Sequence, residues 1–273
     1  GTHPEFVLEP VDINGMNYNY YSSLSIPLIR TESQSLILRP GFTFLNSHVT
    51  TFGFELYTDH VRSADLGVTY SFADRFMGSN IITSDIRQGL PIFDYTKNTN
   101  PATALTSRPG GHANYTKLIF SGSRLQALPH NFSLYGNLNG QYSFEALLSS
   151  EQFTFGGSQI GRGYDAAELI GDRGISGSFE VRYDWNINRF KLQSMQLYAF
   201  YDAGQIWNIE VLPGSPAKLS AMSTGFGTRV YFSKYVSGNL MWTQPLTKQV
   251  AAMQLIGDGK APRMFFSVTA QLP

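Results

Sequence analysis

This 273-residue chain contains one glycine-rich stretch whose residues could bind a ligand or hold a charge in a fixed position. Segment 155–174 reads FGGSQIGRGYDAAELIGDRG and carries six glycines, with Arg162 near its centre. A glycine-rich loop that cradles phosphate needs a strand before it and a helix after it. Here the residues that follow alternate with a period of two and predict a strand. The phosphate-binding interpretation therefore fails on context.

A second interpretation is a loop that lies against a wall and is pinned there by charge. Glycines let a backbone approach a surface closely, and a guanidinium has a forked donor geometry that suits a carboxylate. In QLYAFYDAGQIW (196–207), Phe200, Asp202 and Gly204 share one face of a predicted strand. If that face looks inward, Asp202 can pair with Arg162 and Gly204 leaves room for the loop. A solvated Arg162 and an ordinary Asp202 fit the residues equally well.

No other catalytic or metal-binding cluster is indicated by the sequence. A nucleophile needs a base within reach, and a metal site needs closely spaced ligands. His60 stands close to Asp59 and Asp65 but is expected just before a strand. The chain has no cysteine, and its five histidines are separated from one another, namely His3, His48, His60, His112 and His130. We therefore expect no enzyme, no metal and no cofactor.

The composition excludes several classes of protein. Charged residues make up only 15% and aromatic residues 14% of the chain, against about 25% charged in ordinary soluble proteins. Twenty basic and twenty acidic residues cancel, which gives no attraction to nucleic acid. No run approaches the roughly 18 to 20 apolar residues of a membrane-spanning helix. A nucleic-acid partner and a helical membrane protein are both disfavoured.

Alternation of polar and apolar residues is the strongest structural signal. In ISGSFEVRYDW (175–185), Phe179, Val181, Tyr183 and Trp185 oppose Ser176, Ser178, Glu180, Arg182 and Asp184. The same period predicts about eleven strands and no helix. The predicted strands are 17–29, 35–45, 63–74, 80–90, 114–125, 131–143, 175–185, 195–206, 219–232, 235–246 and 264–272.

Strand length and turn length separate two all-β architectures. A soluble sandwich also alternates, but these strands run to ten or more residues and carry aromatic residues at their ends, as in transmembrane barrels. Short turns such as 31–34 and 186–189 alternate with long polar stretches such as 92–113 and 247–263. The stretch SRPGG (107–111) is expected to be a flexible external turn. We predict an antiparallel transmembrane β-barrel.

The chain also resembles a known family over almost its whole length. The stretch SSEQFTFGGSQIGRGYDAAELIGDRGISGSFEVRY (149–183) is similar to the signature loop of the outer-membrane transporters of two-partner secretion (TpsB; FhaC/ShlB/HecB type), within the BamA superfamily. Arg162, Gly163 and Tyr164 match the loop tip of that family, and Phe200, Asp202 and Gly204 match its partner motif on the barrel wall. Stretches 24–38, 107–129 and 219–233 resemble the barrel strands of the family in the same order.

The chain departs from the family in three places. Gly161 stands where valine is common, and the C-terminal FFSVTAQLP lacks a final aromatic residue. The family has about sixteen strands and two periplasmic POTRA domains, whereas about eleven strands are predicted here. We therefore expect residues 1–273 to be the C-terminal part of a barrel, without the N-terminal strands and the POTRA domains, and residues 149–174 to form a loop inserted in the lumen.

The resemblance implies a function, a set of partners and a location. The expected function is a pore in the outer membrane of a Gram-negative bacterium that exports an unfolded partner exoprotein of haemolysin or adhesin type without nucleotide hydrolysis (type V secretion). In it, Arg162 and Asp202 hold the loop, and Glu180 and Arg182 add charges to the same inner wall. The partners would be a TpsA-like cargo, outer-membrane lipid and the assembly machinery. An insertase of outer-membrane proteins or a small-solute channel of the same superfamily is the alternative.

Overall fold

The computed structural model describes residues 12–97, 99–100, 103–189, 192–209, 216–233, 235–247 and 260–271. These residues form strands β1 (Ile13–Ser23), β2 (Ile26–Arg30), β3 (Gln34–Thr51), β4 (Phe54–Ala73), β5 (Gly78–Gly89), β6 (Thr116–Ala127), β7 (Phe132–Ser143), β8 (Phe153–Phe155), β9 (Leu169–Gly171), β10 (Arg173–Arg189), β11 (Leu192–Trp207), β12 (Lys218–Tyr231), β13 (Val236–Pro245) and β14 (Arg263–Ala270). One 3-10 turn covers Ser149–Glu151. Within these ranges, no helix is long and apolar enough to cross a membrane.

Twelve of the strands form one antiparallel sheet in the order β1-β3-β4-β5-β6-β7-β10-β11-β12-β13-β14, with β2 also paired to β3. β1 and β2 pair with successive parts of β3 and so act as one bent strand. The prediction of about eleven antiparallel strands is confirmed. β8 and β9 form a separate two-stranded hairpin inside the connection between β7 and β10.

The two faces of the sheet have opposite chemistry. On β10, Phe179 and Val181 are exposed on the outer face, whereas Ser178 and Glu180 are buried on the inner face. The same holds on β11, where Asp202 is fully buried. Apolar side chains outside and polar side chains inside are the arrangement of a membrane barrel wall. It arises because the period-two alternation of each strand sends alternate side chains to opposite faces.

The long connections lie at one end of the sheet. They join β5 to β6 and β7 to β10, while the connections from β2 to β3, β4 to β5 and β6 to β7 at the opposite end span only a few residues. Long loops are external and short turns periplasmic in such barrels. Most of the predicted loop 247–263 lies outside the described residues, as does Leu272 on the predicted last strand.

Two predicted boundaries are wrong. Residues 46–62 were expected between strands, but β3 and β4 continue through them to a turn at Phe52 and Gly53, so His60 lies within β4. Residues 186–189 were expected as a turn, but β10 continues to Arg189. In both places the simple alternation is lost while the backbone ladder continues, because backbone pairing does not itself require an apolar face.

Candidate functional site

The candidate site lies where the connection from β7 to β10 folds against the inner face of β10–β13. We call residues 156–168 of this connection the loop tip, and residues 144–155 with 169–172 the loop base. The backbone of the tip adopts a conformation that is rare for residues with a side chain. Gly163 has a φ of +114°, and a Cβ atom there would lie 3.1 Å from the Thr243 hydroxyl. This close approach places Arg162 and Tyr164 directly on the wall.

Arg162 is the centre of the tip and is only 5% exposed. Its Nε donates to Asp202 Oδ2 at 2.9 Å, and one terminal nitrogen donates to Asp202 Oδ1 at 2.7 Å. Its backbone N–H donates to Asp202 Oδ2 at 3.0 Å, and Ser178 Oγ accepts a further bond at 2.7 Å. Asp202 therefore binds both the side chain and the backbone of Arg162, which fixes the position of the tip as well as its charge.

Glu180 is shared between three arginines. It accepts a short hydrogen bond from Arg162, a bond of 2.7 Å from Arg182 Nε, and ion-pairs with Arg229 at 3.3 Å. Arg182 thus contacts Glu180 from the wall and is not itself bound to the tip. Arg229, on β12, has no sequence signal that relates it to this site, because it lies 49 residues from Glu180.

Phe200 and Gly204 shape the wall on either side of Asp202. The guanidinium carbon of Arg162 lies 3.7 Å from the centre of the Phe200 ring, within range of a cation–π contact. A Cβ atom at Gly204 would lie 2.3 Å from the Phe155 ring. The absence of a side chain at Gly204 is therefore what lets Phe155 of the loop base pack on β11.

Tyr164 ties the tip to β12 and to Thr247, which lies two residues beyond the end of β13. Its hydroxyl lies 2.7 Å from the Met222 carbonyl and 2.7 Å from Thr247 Oγ1. The ring packs with Phe155, Leu169, Ile206 and Ala221 in a small apolar cluster. Nearby, the buried hydroxyls of Ser176, Ser223 and Thr243 have no hydrogen-bond partner among the described residues.

The loop base is held by a separate ion pair between Asp172 and Arg108. Asp172 is fully buried and accepts a short bond from Arg108, a bond of 2.9 Å from Leu147 N–H and one of 2.7 Å from Ile209 N–H. Arg108 also donates to the carbonyls of Leu147 and Ile209. This pair joins the connections β5–β6, β7–β10 and β11–β12. The predicted turn at 107–111 is present and is closed by a bond from Gly111 N–H to the Arg108 carbonyl at 3.0 Å, but Arg108 itself is fixed in this network.

Glu151 gives the base a second attachment to the wall. Its carboxylate lies 2.9 Å from Lys117 Nζ on β6 and 3.5 Å from an Arg87 nitrogen on β5. Burial alone would raise the pKa of the Glu151 carboxyl, but the two cations outweigh burial and lower it. Leu147 and Leu148 of the base pack on Val61, Ala113 and Tyr115 in a buried apolar cluster.

The part of the chain that the structure describes contains no group of three or more His, Asp or Glu side chains placed to hold a metal ion. His48 and His60 are diagonal neighbours on β3 and β4, and His60 also contacts Asp94. His112 forms a bridge with Leu147, and His130 lies in the turn between β6 and β7. His3 lies outside the described residues.

Comparison with known proteins shows the family. Residues 5–230 match the family model of the haemolysin secretion/activation proteins ShlB/FhaC/HecB. The chain belongs to this family. The resemblance of the chain to the two-partner secretion transporters is thereby confirmed, and the family is one of transporters rather than enzymes. Its location is the outer membrane of a Gram-negative bacterium.

Comparison with individual relatives supports the assignment to this family. The outer membrane transporter CdiB of Dickeya dadantii (strain 3937) is 32% identical over 97 residues, which are 35% of this chain and 17% of that protein. The structure of CdiB from Escherichia coli is similar with a TM-score of 0.76 and 17% identity, covering 95% of this chain and 46% of that one. The structure of CdiB from Acinetobacter baumannii is similar with a TM-score of 0.69 and 16% identity, covering 95% of this chain and 43% of that one. The two structures show a common fold, and the chain spans less than half the length of each relative.

Proposed function

We propose that the protein to which this chain belongs exports an unfolded partner exoprotein across the outer membrane, and that the loop tip is a working part of the pore. The observation that carries the proposal is the binding of Arg162 to Asp202 and Glu180 on the inner face of the sheet. A loop held inside the wall by charge lies on the route that a polypeptide would take through the lumen.

The chemistry of the contact suits a latch. A buried ion pair is weak evidence for stability, yet removing one partner costs about 3–5 kcal/mol because the other charge is left buried. The tip is thus firmly held while both partners are present, and a cargo chain that offered competing hydrogen bonds could release it. The unpartnered hydroxyls of Ser223 and Thr243 line the wall beside Gly163 that the tip would leave.

The driving force is proposed to be folding of the exoprotein outside the cell. The glycine-rich stretch is followed by β10 rather than by a helix, so it does not have the context of a phosphate-binding loop. The proposed partners are a TpsA-like exoprotein, outer-membrane lipid against the apolar outer face, and the machinery that assembles outer-membrane barrels. We further propose that residues 1–273 are part of the barrel domain, with residues 149–174 inserted in its lumen.

The test compares the full-length wild type with Arg162→Ala in planar bilayers and in cells that produce the exoprotein. We expect the variant to be assembled in the outer membrane, to show altered conductance, and to secrete at least ten-fold less exoprotein. Arg182→Ala is the matched control, because Arg182 also contacts Glu180 from the same wall but does not contact the tip.

The outcomes separate the candidate functions. Unchanged secretion and conductance in Arg162→Ala would show that the tip has no working role in export. A wild type that conducts ions or inserts barrels but secretes no exoprotein would instead support the small-solute channel or the insertase.

A further inference from the structure

Four side chains form one row across the outer face of the sheet at its external end. Arg173, the first residue of β10, pairs with Trp207 of β11, and Trp207 pairs with Lys218 of β12. Tyr142 of β7 lies on the other side of Arg173, with its ring against the guanidinium. We call these four residues the external row. Aromatic rings and cations alternate along it over four neighbouring strands.

The alternation of each strand puts the external row on the outside of the wall. Arg173 lies an even number of residues from Phe179 on β10, and Trp207 lies an even number from Tyr201 on β11. Phe179 and Tyr201 are both exposed on the outer face. Because directly paired residues share a face of the sheet, Lys218 lies on the outer face together with Trp207.

The external row lies one membrane thickness away from the opposite end of β10. From Arg173 to Trp185, β10 advances about twelve residues, which is a height of roughly 30 Å at about 3.3 Å per residue and a strand tilt of about 40°. The hydrocarbon core of a bilayer is about 30 Å thick. With Trp185 at the periplasmic boundary, Arg173 therefore lies at the level of the headgroups of the outer leaflet.

The two cations of the external row are not neutralised by the wall that carries them. On the inner face of the same strands, Arg182 and Arg229 both pair with Glu180. The outward-facing positions of β10, β11 and β12 include no Asp or Glu. Neither Arg173 nor Lys218 forms an ion pair with any residue that the structure describes. Their charges are thus presented to the surrounding lipid.

Contacts within the external row hold Arg173 in place and leave donors for a ligand. The guanidinium carbon lies 4.2 Å from the centre of the Tyr142 ring, and Nε donates to the Ser143 carbonyl at 2.8 Å. The two terminal nitrogens have no hydrogen-bond partner within the described ranges. Lys218 Nζ lies 5.9 Å from the centre of the Trp207 ring. A guanidinium can bind a phosphate through two parallel hydrogen bonds, and an ammonium binds it as a point charge.

We propose that the external row binds the phosphate groups of a lipid of the outer leaflet, and that the headgroup it fits carries two phosphates. Arg173 and Lys218 are separated by one strand, so their backbones lie about 10 Å apart, and one headgroup can reach both cations. Its acyl chains would run along the exposed apolar side chains below, such as Ile175 and Phe179. The proposal depends on the location of the chain in the outer membrane and not on what the pore carries.

The test measures the affinity of the full-length protein for diphosphoryl lipid A in a non-ionic detergent by native mass spectrometry. A cation beside an anionic lipid surface strengthens binding about five-fold. We therefore expect about five-fold weaker binding in Arg173→Gln and in Lys218→Gln, and about 25-fold weaker binding in the double variant. Arg75→Gln is the matched control, because Arg75 also lies over an aromatic ring, that of Phe76 at 4.7 Å, but at the end with the short turns. Its affinity should equal that of the wild type.

Further arms separate charge from folding and lipid from free anion. The charge-keeping variant Arg173→Lys/Lys218→Arg should bind diphosphoryl lipid A like the wild type, and monophosphoryl lipid A should bind the wild type about five-fold more weakly. Unchanged affinity in the double Gln variant, or an equal loss in Arg75→Gln, would overturn the site. Equal binding of the two lipids would overturn the assignment of two phosphates. Complete displacement of the lipid by inorganic phosphate would show a site for a free anion instead.

Discussion

The tip and the base of the β7–β10 connection are attached to the barrel in different ways. The tip is held chiefly by side-chain hydrogen bonds of Arg162, Tyr164 and Asp165 to β10–β14 and Thr247. The base is held by Asp172 and Glu151 and by the packing of Leu147 and Leu148 against other loops and the wall. The tip contacts one wall, and the base joins several elements.

This difference indicates which part can move. Releasing the base would expose buried leucines and separate two buried ion pairs at once, which is costly because apolar burial and charge pairing are both lost. Releasing the tip also separates buried ion pairs, those of Arg162 with Asp202 and Glu180. It moves one segment off one wall, however, and leaves the contacts between the other connections in place. We infer that the base is a fixed scaffold and that the tip is the part that a cargo displaces.

The largest expected effect comes from the base. Asp172→Ala leaves the partly buried Arg108 without its carboxylate and three loops without their common acceptor. We expect a loss of about 3–5 kcal/mol of stability, measured as a lower urea midpoint of the refolded barrel, with faster proteolysis near residue 108. Arg263→Ala, which removes only the exposed Asp165 partner, is the control and should shift the midpoint little.

An effect of intermediate size on conductance is expected from a change at Gly204, where the loop base packs on the wall. Gly204→Ala places a methyl group against the Phe155 ring, and such overpacking costs about 1–3 kcal/mol. We expect altered conductance similar to that of Arg162→Ala. The double variant Gly204→Ala/Phe155→Leu should recover most of the wild-type conductance because the smaller side chain makes room. A double variant no better than the single one would show that Gly204 acts by another route.

The smallest effect is expected from Tyr164→Phe. This change keeps the ring in its apolar cluster and removes only the hydroxyl bonded to Met222 and Thr247. A hydrogen bond of this kind contributes about 0.5–1.5 kcal/mol, so the tip should be released more often without loss of assembly. More frequent openings in single-channel recordings would support this, and a stability loss as large as that of Asp172→Ala would contradict the distinction between tip and base.

Much of the sheet could be predicted because its strands cross a membrane. There, every second residue must be apolar, and segments such as 175–185 keep that pattern throughout. The prediction failed at residues 46–62, where β3 and β4 carry polar side chains such as Asn46 and His60 on the face that is apolar at Leu38 and Val68. A pattern search that expects an apolar residue at every second position reads such a stretch as a loop.

The site could be predicted only where local sequence marks it. The glycines around Arg162 and the spacing of Phe200, Asp202 and Gly204 are visible in short windows, and the structure places these residues together. The pairs Arg108 with Asp172 and Lys117 with Glu151 are 64 and 34 residues apart. No local pattern connects them, because only the register of the sheet and the folding of the loops bring them into contact.

The central claim, that the tip moves during export while the base stays, can be tested by tethering each region. The chain has no cysteine, so Asp165→Cys/Arg263→Cys can tether the tip and Ser107→Cys/Ser149→Cys the base, in the full-length protein, with a short reversible thiol cross-linker. Both pairs are in contact, through an ion pair at 2.7 Å and a hydrogen bond at 3.0 Å. We predict that the tip tether lowers exoprotein secretion at least ten-fold until a reductant cleaves it, and that the base tether has no effect. Normal secretion with the tip fully tethered would contradict the account.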